Sequence, residues 1–235
     1  TPCHIHGLNL FLRKKYDNLI TLDFICHGVP SPQIWQRYLQ ELKYDVARVN
    51  FRDKTDGWQS YSLKILDKSY TYNSEKTLSG FYDTYARIPI NSPENYYMKL
   101  FLRDIILRPS CYQCPVKGGC VSSIKVADFW GIKNTYPELW DTNGVSLLIC
   151  SDLQKEKNKL DYLGLKIDEV DLSIALKHNP SYNKTAVPHQ KRELFFKMVQ
   201  YTSVLKATRK ILHESLMRKF VKKIRSKIVV LVRKF

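Results

Sequence analysis

A short segment with two cysteines three residues apart, Cys111 and Cys114, limits the fold more than any other part of the chain. Proline and glycine follow, and a third cysteine, Cys120, lies six residues further on. A tight turn brings the side chains of residues i and i+3 together, so both thiolates can face one metal. The loop offers three thiolates at most, whereas a structural zinc site or an iron–sulfur cubane needs about four ligands. The fold therefore has to bring further ligands from distant segments to this loop.

Two other cysteines lie in loops that could supply these ligands. Cys3 lies in a predicted turn, 1–4, and Cys26 ends a predicted strand beside a glycine loop. The alternative is that the cysteines are reduced and buried and behave as small hydrophobic residues. For Cys150, which lies in an apolar strand, we expect that buried role. His27 could donate a hydrogen bond to a cluster sulfur or a flavin, or it could be a solvated loop residue.

Length and composition limit the class of protein. The chain has 235 residues, of which 44% are hydrophobic, so one large domain or two small ones can form a core. It begins with Thr, and no apolar leader segment follows, so we expect a fragment whose N-terminal part is missing. Six cysteines are too few for a disulfide scaffold, and no run of about eighteen apolar residues occurs. We expect a cytoplasmic protein.

The net charge of +16 is concentrated at the C-terminal end. Residues 203–235 contain 11 Lys or Arg and one acidic residue, Glu214. Apolar residues between these cations predict a basic amphipathic helix. Such a helix could bind an anionic membrane surface at the inner membrane face, bind an acidic partner, or pack on its own domain. A basic stripe without a base-reading motif gives only non-specific binding, so we expect no specific nucleic-acid partner.

Hydrophobic periodicity predicts a mixed α/β fold with a central mixed sheet, flanking helices and a helical C-terminal arm. Leu8, Phe11 and Leu12 predict a short amphipathic helix. A buried strand over 19–25 is followed by a helix that begins at Ser31 and Pro32. The next predicted elements are an antiparallel meander over 47–72 and helical segments over 77–106 with an interruption at 88–93. They are followed by strands over 124–129, 145–150 and 165–170, a helix over 152–163, an extended connector over 179–188 and helix over 190–235.

These elements predict three parts of the chain. Residues 1–178 form an α/β domain that holds the cofactors, residues 179–202 form a connector and the start of the helical arm, and residues 203–235 form the basic tail. Known motifs of hydrolases, P-loop proteins and standard dinucleotide-binding domains do not occur in the sequence.

Aromatic residues end one predicted strand in the stretch Asp128-Phe-Trp-Gly131. This stretch could form a platform for a planar cofactor, because Gly131 allows close approach of the backbone. Phe129 and Trp130 could equally be core residues, which is the commoner role of aromatic side chains.

Four blocks, in their order and spacing, carry a resemblance to a known family. They are Thr1-Pro-Cys3, Asp23-Phe-Ile-Cys-His-Gly-Val-Pro-Ser-Pro32, Arg108-Pro-Ser-Cys-Tyr-Gln-Cys114 and Asp128-Phe-Trp-Gly-Ile132. Together they resemble the coenzyme F(420) hydrogenase/dehydrogenase beta-subunit family. Two further stretches, Asn179-Pro-Ser-Tyr182 and Arg192-Glu-Leu-Phe-Phe196, look like its C-terminal portion.

The resemblance implies an iron–sulfur flavoprotein, an oxidoreductase subunit that passes electrons between a reduced deazaflavin, or a ferredoxin, and a redox partner protein. It implies that one [4Fe–4S] cluster is held by four thiolates, with Cys120 as a spare or substitute ligand. Nearby Lys117 and Lys125 would favour the reduced, more negative state. The implied cluster ligands are Cys3, Cys26, Cys111 and Cys114, and the implied FAD site includes His27, Gly28, Asp128, Phe129, Trp130 and Gly131.

Relatives that resemble this chain also occur beside polysaccharide-assembly enzymes, which adds an expected link to polysaccharide biosynthesis. Two other interpretations remain open at this stage. The first is a zinc-stabilised interaction module without enzymatic activity, whose basic tail docks on a membrane or a partner. The second is a family member that keeps the fold and has lost its cofactors.

Overall fold

The computed structural model describes residues 1–42, 45–55, 57–67, 86–119, 121–150 and 165–212. The helices in this part are α1 (Pro2–Leu12), α2 (Pro32–Leu42), α3 (Tyr96–Leu102), α4 (Ile132–Thr135), α5 (Leu172–Leu176), α6 (Arg192–Met198) and α7 (Val204–Leu212). The strands are β1 (Leu22–Phe24), β2 (Val46–Asp53), β3 (Ser62–Asp67), β4 (Ala86–Pro89), β5 (Ile124–Asp128) and β6 (Ser146–Cys150). Short 3₁₀ helices span Pro109–Gln113, Pro137–Leu139 and Pro180–Tyr182. The predicted mixed α/β class is confirmed.

The first sheet has the strand order β1-β5-β6, with β1 parallel and β6 antiparallel to β5. Two of its strands, β5 and β6, confirm the predictions over 124–129 and 145–150. The prediction over 19–25 is confirmed for a strand, which is shorter (Leu22–Phe24), but its predicted burial is wrong. Within β1 only Asp23 is buried, whereas Leu22 and Phe24 are exposed. The reason is that β1 is an edge strand whose apolar face is not covered by the described part of the chain.

The second sheet is antiparallel, with the order β2-β3-β4. Strands β2 and β3 confirm most of the predicted meander, while the third predicted segment, 70–72, lies outside the described residues. Among the described residues, the third strand of this sheet is β4, which begins in a segment predicted to be helical and ends in the interruption predicted at 88–93. Pairing of Ile88 with Leu63 of β3 buries Ile88, so tertiary contacts override local spacing here. Helix α3 confirms the later part of the helical prediction.

The larger core lies between the second sheet and the helices α2, α3, α6 and α7. Helix α2 begins at Pro32 after Ser31, as predicted, and buries Ile34 and Tyr38. The fully buried side chains of this core include Tyr38, Leu63, Ile65, Leu100, Phe195, Val204 and Ala207. A smaller core beside the first sheet contains Phe129, Ile132, Leu147, Ile149 and Ala175.

Within the described part of the segment predicted to be helical over 190–235, residues 190–212 contain two separate helices, α6 and α7. The helical conformation is interrupted between α6 and α7. There the Arg37 guanidinium donates hydrogen bonds to the carbonyls of Val199 and Thr202. These bonds satisfy carbonyls of the 199–202 turn that joins the two helices. None of the helices in the described ranges is both long and apolar enough to cross a membrane.

The prediction of a strand over 165–170 is wrong. These residues have no regular secondary structure, and 166–170 border a cavity beside β6. Two other predicted segments, the helix over 152–163 and the tail beyond Leu212, lie outside the described residues.

Candidate functional site

Three distant segments of the chain meet around one cavity of about 100 Å³. Cys3 comes from α1, Cys26 from the loop after β1, and Cys111 and Cys114 from the 3₁₀ helix and the residue that follows it. All four are free cysteines. Cys120 lies outside the described residues. The structure therefore brings together the four cysteines that the sequence indicated as ligands.

Local structure positions the first two cysteines. The prediction of a turn over 1–4 is wrong, because Thr1 is the N-cap of α1 and Cys3 lies in its first turn. Pro2 suits this position, since proline is favoured at the start of a helix. The hydroxyl oxygen of Thr1 lies 3.2 Å from Cys3 Sγ. Cys26 follows β1, and its sulfur accepts a hydrogen bond from the Gly28 backbone N–H.

The other two cysteines are held by contacts between the loop after Cys26 and the 3₁₀ helix. The backbone N–H of Val29 donates a hydrogen bond to Cys111 Sγ at 3.3 Å. Pro30 and Leu107 form an antiparallel bridge beside it. Because backbone donors are fixed in position, they hold the cysteine sulfur without a side-chain rearrangement.

One cation borders the cavity without a carboxylate contact in the described part of the chain. The ammonium nitrogen of Lys117 donates hydrogen bonds to the carbonyl oxygens of Cys26, at 2.5 Å, and Ser181, at 2.7 Å. The backbone N–H of Gly118 donates to the Tyr182 carbonyl at 2.8 Å. These bonds join the cysteine loop to the 180–182 turn, a contact that no local sequence pattern indicates.

A second lysine beside the cavity is already paired. Lys125 on β5 and Asp23 on β1 are register partners, and Nζ lies 2.6 Å from Oδ1. Both side chains are buried, with exposed fractions of 3% and 0%. The two charges largely cancel as seen from the cavity. The sequence showed the lysine but not its partner, because the pairing depends on the parallel register of two distant strands.

The ionisation of Cys26 reflects these surroundings. Burial raises the pKa of the Cys26 thiol, because the low-dielectric environment disfavours the thiolate. The charge of Lys117 opposes this rise in pKa, while the neighbouring Cys111 and Cys3 add to it. Burial thus favours the neutral thiol, and a metal centre would supply the positive charge that stabilises the thiolate.

The two kinds of metal centre that the sequence left open differ in the spacing of their ligands. Within the described ranges, no three His, Cys, Asp or Glu side chains form a group that could hold a metal ion as they stand. Ligands of a single zinc ion lie about 4 Å apart, whereas the four thiolates of a cubane surround a larger core and lie roughly 6–7 Å apart. Four thiols line one cavity, which is the number of ligands that either kind of centre needs.

The predicted flavin residues after Cys26 contact other parts of the protein. His27 Nε2 lies 2.8 Å from Asp104 Oδ1, and the His27 ring packs edge-on against Phe101. A Cβ on Gly28 would lie 2.7 Å from a methyl carbon of the buried Leu107. Gly28 is therefore required for close packing of the loop against the chain before the cysteines.

The predicted platform at the end of β5 joins the two sheets. Asp128 forms an ion pair with Arg52 of β2, and Trp130 stacks on Trp58 with ring centroids 4.7 Å apart. Phe129 is buried in the smaller core. Gly131, with a φ of 83°, lies so close to His178 that a Cβ would overlap its ring. The assignment of these residues to a flavin stays a prediction.

A mixed α/β fold with four cysteines around one cavity defines a candidate thiolate-ligated metal protein. The chain belongs to the family described as the C terminus of the coenzyme F420 hydrogenase/dehydrogenase beta subunit, whose model matches residues 1–157. The suspected family is thus confirmed, and membership indicates a redox subunit of the hydrogenase/dehydrogenase beta-subunit type. No curated protein and no solved structure matches the chain.

Proposed function

We propose that this chain is an oxidoreductase subunit in which Cys3, Cys26, Cys111 and Cys114 hold one [4Fe–4S] cluster. It takes electrons from a reduced deazaflavin or a ferredoxin-type donor and passes them to a partner protein, with FAD as a second cofactor. The observation that carries the proposal is the convergence of the four thiols, from three distant segments, on one cavity. The polysaccharide link rests on the resemblance and is part of the same proposal.

A bound cluster supplies one-electron transfer, and a flavin exchanges a hydride for single electrons. The chain itself provides the ligands and their surroundings. Backbone N–H groups of Gly28 and Val29 donate to the sulfurs of Cys26 and Cys111. Hydrogen bonds to sulfur stabilise the more negative state of such a centre. The apolar wall of the cavity limits access of water and includes Pro2, Phe24, Ile25, Val29, Pro115 and Val116.

Metal and sulfide analysis of anaerobically purified protein tests this proposal. We expect about four irons and four acid-labile sulfides for each chain, with a broad absorption near 400 nm that dithionite bleaches. Replacing any of the four ligands by serine, for example Cys111→Ser, should lower iron and sulfide together. The matched control is Cys150→Ser on β6, outside the cavity, which should keep both.

Three other results would contradict the cluster assignment. Zinc without sulfide would show the zinc-stabilised module instead. A folded protein with neither metal nor sulfide after anaerobic reconstitution would show a family member that has lost its cofactors. An iron content equal to that of wild type in all four serine variants would show that these cysteines are not the ligands.

A further inference from the structure

The helix α1 and the strand β1 present large apolar side chains to solvent. Phe11 is 80% exposed, Leu10 is 65% exposed, Leu22 is 58% exposed and Phe24 is 43% exposed. Together with Leu8, they form what we call the α1–β1 surface. Isolated exposed leucines are common, but a concentration of large apolar residues in adjacent elements marks an interaction site. Leu22 and Phe24 face the same way because alternate residues of a strand share a face.

Cations line an open groove of about 840 Å³ beside this surface. Arg13, Lys14 and Lys15 follow directly after α1, and all three are exposed. One acidic residue, Asp17, borders the same groove. The groove therefore favours an acidic segment.

The α1–β1 surface reaches the cysteine cavity. Phe24 is exposed on β1 and also lines the cavity. Cys3 is exposed at the start of α1, and Phe11 lies eight residues further along the same helix, about 12 Å at the usual rise. A protein that covers this surface would lie within electron-transfer reach of the thiols.

The charge of the chain distinguishes between the proteins that could bind the α1–β1 surface. A second copy would bring the same cations to the interface, and each chain carries a net charge of +16. Like charges that face each other oppose association, whereas carboxylates on a partner would favour it. An acidic partner with an apolar contact centre fits both the groove and the exposed side chains.

We infer that the α1–β1 surface docks a separate acidic electron-carrier protein, whose carboxylates enter the basic groove and whose apolar centre covers Leu10 and Phe11. This inference rests on the proposed function, because it assigns the redox partner of the same cysteine site. Docking here places the carrier beside Phe24 and Cys3, at the rim of the cavity.

Stopped-flow reduction of the cluster-loaded protein by a small acidic ferredoxin tests the inference. The Lys14→Glu/Lys15→Glu variant should slow the second-order reduction about tenfold or more at low ionic strength, and the difference should shrink in high salt. Phe11→Ser should also slow it, with little dependence on salt. The matched control is Lys166→Glu/Lys177→Glu, an equal charge change at exposed lysines elsewhere, which should retain the wild-type rate.

Methyl viologen separates failure of docking from failure of the proposed function. The small reductant needs no docking surface, so it should reduce the cluster equally in all variants. Equal ferredoxin rates in wild type and variants would overturn the docking inference while the cluster assignment stands. If the protein contains no reducible cluster, the proposed function fails. The affinity of the same ferredoxin for wild type and variants, measured by biolayer interferometry, then tests the docking inference separately. A dimer in sedimentation that dissociates with Phe11→Ser would assign the surface to a second copy and overturn the inference.

Discussion

Two lysines beside the cysteine cavity differ in what they can do for a bound centre. From the sequence, Lys117 and Lys125 had the same expected role. The structure buries Lys125 against Asp23, so that pair contributes little net charge. Lys117 instead contacts two carbonyl oxygens, including that of Cys26. Of these two lysines, Lys117 is therefore the one whose charge acts on the Cys26 sulfur, and it also joins the cysteine loop to the 180–182 turn.

Replacing Lys117 tests this distinction. In the cluster-loaded protein, Lys117→Met should shift the midpoint potential to a more negative value, because a nearby cation stabilises the reduced state. Lys117→Arg keeps the charge and should remain close to wild type. The measurement is a redox titration followed by electron paramagnetic resonance.

The charge-neutral double variant Asp23→Leu/Lys125→Met serves as the control. It removes a lysine at a similar position but no net charge, so its potential should change less than that of Lys117→Met. A potential that is unchanged in Lys117→Met would contradict the role of this side chain.

The helix α7 has an apolar face whose role depends on the elements packed against it. Its sequence is the first part of the basic tail, 203–235, for which membrane binding was one expectation. In the structure Val204, Ala207 and Ile211 are buried in the larger core, so the apolar face of α7 is used within the protein. That apolar face is therefore not available for a membrane contact, and the residues beyond Leu212 lie outside the described part of the chain.

A carboxylate from α2 stabilises the start of α7. Glu41 accepts hydrogen bonds from the backbone N–H groups of Val204, at 2.5 Å, and Leu205, at 2.9 Å, and from the Tyr96 hydroxyl at 3.0 Å. Helix N-termini leave such N–H groups without partners, and a negative charge there is favourable. One side chain thus connects three helices of the larger core.

Glu41→Ala should lower the free energy of unfolding by about 1–3 kcal/mol, because it leaves these donors without their acceptor. Glu41→Gln keeps one acceptor oxygen and should cost less. Urea denaturation followed by circular dichroism gives the values, with Glu94→Ala at an exposed position as the control. Equal stabilities of Glu41→Ala and the control would show that this contact is unimportant.

At the scale of the whole molecule, the larger core contains tyrosines that must stay neutral. Tyr97 is buried beside Trp35, with ring centroids 4.8 Å apart, and burial raises its pKa to about 12. Tyr96 lies beside Tyr38, and burial, with a smaller contribution from Glu41, raises its pKa as well. A phenolate in this core would be poorly solvated, so the folded state holds its protons more tightly than the unfolded state does.

Stability should therefore fall on the alkaline side. Tyr97 has a folded pKa of about 12 against an ordinary value of 10, so its contribution is complete below pH 10 and is lost as the pH rises to about 12. Tyr97→Phe should reduce this alkaline loss and change stability little at pH 7. Urea denaturation at pH 7, 10 and 11.5 gives the comparison, with the exposed Tyr201→Phe as control. An identical alkaline profile for wild type and Tyr97→Phe would contradict the prediction.

Local patterns determined several parts of this protein. Proline and serine at the start of α2, with its apolar spacing, predict the helix that is found, and the apolar runs of β5 and β6 predict those strands. Cys111 and Cys114 predict a two-ligand turn by spacing alone. The four family-like blocks identify the family. Each of these signals lies within a few residues, where the backbone conformation depends mainly on the residues themselves.

Only the tertiary structure decided the features that depend on distant neighbours. Register between β1 and β5 pairs Asp23 with Lys125, and chain folding brings Ser181 to Lys117. Tertiary packing also leaves the apolar side chains of β1 exposed and buries those of α7, although both elements contain large apolar residues. The physical reason is that burial and charge pairing depend on which surface covers a side chain, and that surface comes from elsewhere in the chain.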